Sequence, residues 1–292
     1  MQKPSDGGNQ PTEGKGGWIP KGTSPAASPH MTDDFARVYE LTATRNTAPV
    51  SVEALRRVGA IGCGTRILDI AAGTGALSIP AAHSGASVLA VDIAPGMVNL
   101  LSERLAPFPN AEARLMNGED LKVDDGSFDL AFSIFGATLF ADWRKVLREQ
   151  ARAIRPGGKG VVATWHRPPG GGPFVVIAGA LRSVFPDRAS PAPPEGFVAL
   201  SDPTRLAAEL QSAGFIDVEV QEIETIWQGP TGHAYLDELR DLHRYMAPYA
   251  GLSDDNRRKV DDAIVRIIED LTADGQVRIV SPVLLAIGTR RS

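Results

Sequence analysis

The sequence has a single cysteine, Cys63, among 292 residues. That excludes an internal disulfide framework and any multi-cysteine metal site. A reducing compartment, the cytoplasm, is the expected location. No apolar run approaches the roughly 18 residues that a membrane-spanning helix needs, and the first residues lack the apolar core of a secretory signal. There is no surplus of positive charge either. Thirty Lys and Arg stand against 35 Asp and Glu, a formal net charge of −5. An acidic chain has no general attraction for phosphate backbones, so no nucleic-acid partner is expected, and no membrane partner. What is present is globular composition, 43% hydrophobic and 22% charged. The length suits one large α/β domain and is marginal for two.

Residues 1–30 are rich in Gly, Pro, Ser and Lys and show no periodicity, so they are expected to be a disordered tail. Residues 31–292 read as one domain. Met31 to Val58 is helical, with Pro49 near the start of a second helix whose apolar repeat is Val52, Leu55 and Val58. Strands are then expected at Arg66–Ala71, Ser87–Asp92, Ala113–Met116, Phe128–Phe135 and Lys159–Trp165, with helices between them. Pro156-Gly157-Gly158 reads as a turn. Alternating strands and helices of this length argue for a parallel sheet of βαβ units. Further on, 186–197 reads as a Pro-rich connector. Asp202 and Pro203 open a helix that Gly214 ends. Phe215–Trp227 and Gln276–Thr289 alternate as two last strands. The segments 167–200 and 228–275 are expected to form a helical cap over a cofactor-binding half at 60–166.

The most informative stretch is ILDIAAGTGALS, residues 67–78. A strand enters a glycine turn and then a helix, whose first N–H groups are unpaired. Gly73 and Gly75 let a ligand approach the backbone. A dinucleotide fingerprint would place a third glycine where Ser78 stands. Asp69 would repel a pyrophosphate and attract an ammonium group. The loop therefore favours a cationic, amino-acid-like ligand over a dinucleotide. Asp92 closes the second strand and can accept both hydroxyls of a ribose. Asn117-Gly118-Glu119 follows the third strand, where an Asn side chain can meet an adenine edge.

These blocks together resemble the class I S-adenosylmethionine-dependent methyltransferases. ILDIAAGTGALS is similar to that family's first motif, and VLAVDIAPGMV to its second. NGEDLKVDDGSFDLAFSIFG resembles its third block and fourth strand, and RAIRPGGKGVVATW its fifth strand. The blocks cover about residues 66–166, in the family's order. The similarity is greatest to small-molecule enzymes of the ubiquinone/menaquinone-biosynthesis type. Two residues depart from the pattern: Ala71 replaces the usual first glycine and Asn117 the usual aspartate. The resemblance implies a Rossmann-like, seven-stranded, mostly parallel sheet with an antiparallel last strand. It implies S-adenosylmethionine as cofactor and S-adenosylhomocysteine as product. Asp69 and the loop Ala71, Gly73, Thr74 and Gly75 would hold the methionine end, with Ser133 nearby. Asp92 would hold the ribose, Ile93 and Met97 the adenine face, and Asn117, Gly118 and Glu119 its edge. Tyr39 would close over the cofactor.

Other absences narrow the acceptor. Ser133-Ile134-Phe135-Gly136 stands where amino-methylating enzymes carry Asn/Asp-Pro-Pro-aromatic. Cys63 precedes the first strand, on the wrong side for a nucleophile, and reads as a small apolar filler. No acidic metal ligand follows strand four, so metal-free chemistry on a small molecule is expected. His166, after strand five, is the leading candidate base, followed by His233 and His243. Phe135, Phe140, Trp165, Phe174, Trp227 and Tyr245 are candidates for an apolar acceptor pocket. A monomer or homodimer is expected. The competing readings are a non-enzymatic cofactor-binding or regulatory protein on the same fold and an NAD(P)-dependent oxidoreductase.

Overall fold

The computed structural model describes residues 28–189 and 192–292. The expected tail falls outside the described residues up to position 27; Pro29–Met31 forms a 3₁₀ turn that buries Met31. The strands are β1 (Arg66–Ile70), β2 (Ser87–Asp92), β3 (Ala111–Leu115), β4 (Phe128–Ile134), β5 (Ile154–Trp165), β6 (Phe215–Gly229), a two-residue β7 (Thr272–Ala273) and β8 (Gln276–Arg290). The helices are α1 (Asp33–Thr42), α2 (Thr44–Arg57), α3 (Ser78–His83), α4 (Pro95–Leu105), α5 (Trp143–Ala153) and α6 (Pro173–Val184). They continue as α7 (Glu195–Leu200), α8 (Pro203–Ala213), α9 (Gly232–Arg244), α10 (Ala247–Ala250) and α11 (Asp254–Asp270).

Seven strands lie in the order β3-β2-β1-β4-β5-β8-β6, and β7 adds a stub on β8. The pairs from β3 to β5 are parallel, while β8 runs antiparallel between β5 and β6. Strand alternation sends Ile67, Phe132 and Val161 to one face, under Val50, Leu77 and Leu101 of the helices there. Leu68, Ala131 and Val162 point to the other, against Trp143, Val146 and Leu147 of α5. A third apolar cluster joins α6, α9 and α11 to Trp227, Val277 and Ile279, at the far ends of β6 and β8. A fourth packs α1 on α4 through Phe35, Ala36 and Met97.

The expected elements form with four differences. Pro49 lies inside α2 and not near its start. Val52 is exposed, and the buried face of α2 is Thr44, Asn46, Thr47, Val50, Ser51 and Ala54. Pro156-Gly157-Gly158 sits within β5, which begins at Ile154 beside a register shift against β4. The Asp129 carboxylate pins that irregularity, accepting the Arg66 N–H at 2.7 Å and Arg155 Nε at 2.6 Å. The connector 186–197 gives way to α7, which buries Phe197 and Leu200. Cys63 is exposed in the turn before β1 and fills no core. The signals at α8 operate as expected: Asp202 accepts the Arg205 N–H at 2.8 Å, and Gly214 ends the helix at φ +109°.

Candidate active site

Beyond Ile70 the chain turns through three left-handed residues, Ala71 (φ +59°), Gly73 (φ +55°) and Gly75 (φ +97°). A Cβ on Gly73 would meet nothing within 4 Å, so the space above the loop is open. The Asp92 carboxylate ties this loop to the one after β2. Its oxygens accept the N–H groups of Gly73 and Ala94, each at 2.9 Å. Burial raises its pKa, and those backbone donors oppose the rise. Asp69 lies buried beneath the loop and accepts the Ser78 hydroxyl at 2.6 Å. Burial pushes it up to about 7, the Ser78 bond opposes this, and the Asp92 charge adds to it. Ser78 thus uses the position of a fingerprint glycine to hold a carboxylate in place.

The opposite wall comes from the N-terminal helices. Thr44, Thr47 and Ser51 share one face of α2 and turn it toward the loop. Thr44 Oγ1 lies 3.2 Å from Thr74 Oγ1. Arg104 of α4 donates to the Thr74 carbonyl at 2.6 Å and pairs with Glu40 at 2.6 Å. Tyr39 bonds Thr47, and burial pushes its phenol up to about 12. Between these walls lies a small open cleft lined by Tyr39, Thr47, Ser51, Asp69, the 71–74 loop and Ile134 among others. No Lys or Arg lines it among the described residues. Two carboxylates at an open glycine loop with no basic lining suit an ammonium and a ribose, and do not suit a pyrophosphate. Thr47 and Ser51 escaped the sequence reading, because polar residues on a helix normally mark its solvent face.

At the end of β4, Phe135 takes φ +62° and donates its N–H to the Ala163 carbonyl at 2.8 Å. Its ring stacks on Trp165 with centroids 4.2 Å apart. A Cβ on Gly136 would lie 2.4 Å from Ala71 Cβ and 3.1 Å from Ser133 Oγ. Ser133 is fully buried and its hydroxyl has no partner among the described residues. His166 Nδ1 lies 3.0 Å from Glu222 Oε2, though not in line with the ring N–H.

Other expected site residues are placed differently. Ile93 and Met97 both pack in the cluster of Met31 and Phe35 beneath α1, and neither lines the cleft. Asn117 Oδ1 accepts the Glu119 N–H at 2.9 Å, a local turn that leaves its amide NH₂ uncommitted. Glu119 accepts the Asp142 N–H at 2.9 Å, so it serves the start of α5. Gly118 is packed so closely that a Cβ would lie 2.9 Å from both Ile70 and Phe140. The aromatic pocket does not assemble as expected. Phe135 and Trp165 meet, but Phe140 sits at Gly118, Tyr245 packs on Phe35, and Phe174 is half-buried on α6. Trp227 is fully buried in the cap, its Nε1 donating to the Thr42 carbonyl at 3.4 Å. It packs there because its odd-numbered strand position faces the α9–α11 side. His233 is exposed on the first turn of α9, outside the cleft. His243 is buried between Tyr235 and Tyr249, and burial lowers its pKa to about 4.

The sheet order, the glycine loop after β1 and the carboxylate closing β2 define the Rossmann-like methyltransferase class. A family model described as a methyltransferase domain matches residues 67–158. The demethylmenaquinone methyltransferase of Clavibacter sepedonicus is 34% identical over 194 residues, 63% of this chain and 74% of that protein. That of Mycolicibacterium gilvum is 32% identical over 218 residues, 69% of this chain and 89% of that protein. Among solved structures, phosphoethanolamine N-methyltransferase 2 of Haemonchus contortus, in complex with S-adenosyl-L-methionine, shares the fold. Its TM-score is 0.56 at 18% identity, covering 94% of this chain and 62% of that one. The chain belongs to the class I S-adenosylmethionine-dependent methyltransferases, in the menaquinone/ubiquinone-type branch. It is an enzyme that methylates a small molecule with S-adenosylmethionine. No helix among the described residues is long and apolar enough to cross a membrane.

Proposed function

We propose that the enzyme methylates an O, N or C atom of a small apolar or aromatic acceptor; the relatives are named for demethylmenaquinone, and the reduced, quinol form of such a ring is the acceptor proposed here. The observation that carries the cofactor half of this reading is the pair Asp69 and Asp92 around an open glycine loop without a basic lining. In this reading Asp69 and the 71–75 backbone hold the ammonium and carboxylate of the methionine end. Asp92 accepts the ribose hydroxyls with the lone pairs its backbone donors leave. Ile93 and Tyr39 flank the adenine, and the Asn117 amide and Gly118 meet its edge. When bound, S-adenosylmethionine supplies a methyl group on positively charged sulfur.

The protein's contribution is then alignment and exclusion of water, together worth roughly 7–11 kcal/mol in favourable cases. The Phe135–Trp165 stack gives an apolar wall on the α2 face of the strand ends, and the acceptor would lie across those ends, between that wall and His166 on the α5 face. An acceptor lone pair, or the π pair of a carbon activated by a neighbouring hydroxyl, forms the new bond to the methyl carbon. The methyl–sulfur bond breaks and its pair stays on sulfur. The hydroxyl proton goes to His166. We read residues 31–292 as one methyltransferase unit, with 60–166 the cofactor half and 167–200 and 228–275 the acceptor cap. We also infer a cytoplasmic monomer or homodimer with no nucleic-acid or membrane partner.

The test is calorimetric titration with S-adenosylmethionine and with NADH, followed by transfer of a labelled methyl group to naphthoquinols. Micromolar binding of the first alone and labelled product are expected. Labelled transfer to polar amines and none to quinols would overturn the acceptor reading.

A further inference from the structure

On the α5 side of the sheet, the ends of β4 and β5 and the middle of β6 carry a row of polar side chains. Ser133 and Thr164 are fully buried, and neither hydroxyl has a partner among the described residues. Ser133 pairs in register with Val162, two residues before Thr164. Thr164 pairs with Leu284, and Leu284 with Glu222. His166 follows two residues after Thr164, and its N–H still continues the ladder to the Pro282 carbonyl at 3.1 Å. Strand alternation therefore puts Ser133, Thr164, His166 and Glu222 on one face. The row begins at the cofactor loop, because the same Gly136 position touches both Ala71 and Ser133. It ends where Glu222 reaches over β8 to place Oε2 3.0 Å from His166 Nδ1.

We propose that Glu222 is a positioning residue for His166, and this rests on the reading of His166 as the base. A neutral imidazole has one N–H and one lone pair, and the partner of one nitrogen decides which is which. With the N–H on Nδ1 facing Glu222, the lone pair is on Nε2. Nε2 can then take the acceptor's hydroxyl proton, the O–H pair remaining on oxygen as the methyl carbon leaves sulfur. The carboxylate stabilises the imidazolium so formed. The Glu222 side chain is 54% exposed, which opens a route for the proton to water. The contact is not aligned in the free protein, as is common before substrate tightens a catalytic hydrogen bond. A purely structural ion pair at this exposed position would contribute little.

The experiment uses the full chain labelled with ¹⁵N at histidine, with His166 assigned by comparison with His166→Ala. With S-adenosylhomocysteine and a naphthoquinol bound, the ring nitrogens should report the Nδ1–H tautomer in the native protein and its loss in Glu222→Leu. Glu222→Gln, whose side-chain carbonyl still accepts, should retain it. Glu222→Leu should lower kcat about tenfold or more while the KM values stay within about twofold, and Glu222→Gln should recover part of that loss. His166→Ala should slow turnover roughly 10²-fold. Unchanged turnover in His166→Ala would sink the base reading itself. A slow His166→Ala beside a Glu222→Leu with native tautomer and native kcat would leave the base standing and overturn the role of Glu222.

Discussion

Ala71 stands at φ +59°, a conformation that costs an L residue roughly 1–2 kcal/mol. Its Cβ fills the space that keeps position 136 a glycine. The sequence showed the missing glycine but not this consequence, because Gly136 is distant in the chain and meets Ala71 only once β1 and β4 pair. Gly136→Ala is expected to destabilise the fold by about 1–3 kcal/mol through overpacking. In an Ala71→Gly background the same change should cost much less, and urea unfolding of the four variants would measure the coupling. Asp69 yields a second prediction. Its carboxyl in the free protein is raised to about 7, and only the ionised form attracts an ammonium group. Affinity for S-adenosylmethionine should therefore fall as pH drops below about 7, by at most tenfold per pH unit. Calorimetry between mildly acidic and mildly alkaline pH would test this, with Asp69→Asn losing both affinity and the pH dependence.

Among the elements, the first and second motifs were legible because their chemistry is local. A strand, a glycine turn and an acidic strand end follow one another in the sequence. α2 was misread because its function reverses the usual pattern. Thr44, Thr47 and Ser51 are buried against a polar loop and not against solvent. The aromatic pocket was misread because composition does not say how far along its strand a residue sits or which helices cover it there. Trp165 and Trp227 share a sheet face with β8 between their strands, yet Trp227, four positions further along, enters the cap core while Trp165 stacks on Phe135. α1 reaches its position through one narrow contact. A Cβ on Gly96 of α4 would lie 2.2 Å from the Thr32 backbone, which has no flexible side chain to yield. Gly96→Ala should push α1 outward, cost about 1–3 kcal/mol, and carry Tyr39 away from the cleft. Faster limited proteolysis within residues 28–42 and weaker cofactor binding are the expected readouts.

For the whole molecule, two buried groups oppose each other as pH changes. Asp69 titrates near 7 when folded and from 3.8 when free, so the folded state binds more protons in between. Stability due to Asp69 therefore falls as pH rises through that window. His243 titrates near 4 when folded and 6.5 when free, so there the unfolded state binds more protons. Its contribution rises with pH and is lost as pH falls through that range. Between pH 4 and 6.5 the two slopes offset, each at most about 1.4 kcal/mol per pH unit. Asp69→Asn should remove the falling slope, so its urea midpoint should climb across this window relative to the native protein. An unchanged pH profile in that variant would show that Asp69 is ionised in the fold. That the first strands form a parallel sheet was legible at this scale, since strands alternating with helices argue for βαβ units. The helices of the cap were legible too, but their packing was not, because it is fixed by contacts with strand ends far away in the chain.

The placement of β8 also has a consequence for how the protein is made. It lies between β5 and β6 but follows both in the chain. A growing polypeptide therefore delivers β6 to the ribosome exit before the strand that will hold it. Until residues 276–290 emerge, the outer edge of β5 has no neighbour and β6 has no sheet to join. The loop at 167–172 waits as well, since Ser281 holds its Gly172 N–H at 3.0 Å. The five parallel strands can pair while synthesis continues, so the cofactor loop can form early. In the proposed reading, the loop on the acceptor side is fixed only by the final strand, so a nascent chain would shape its cofactor site before its acceptor site is complete.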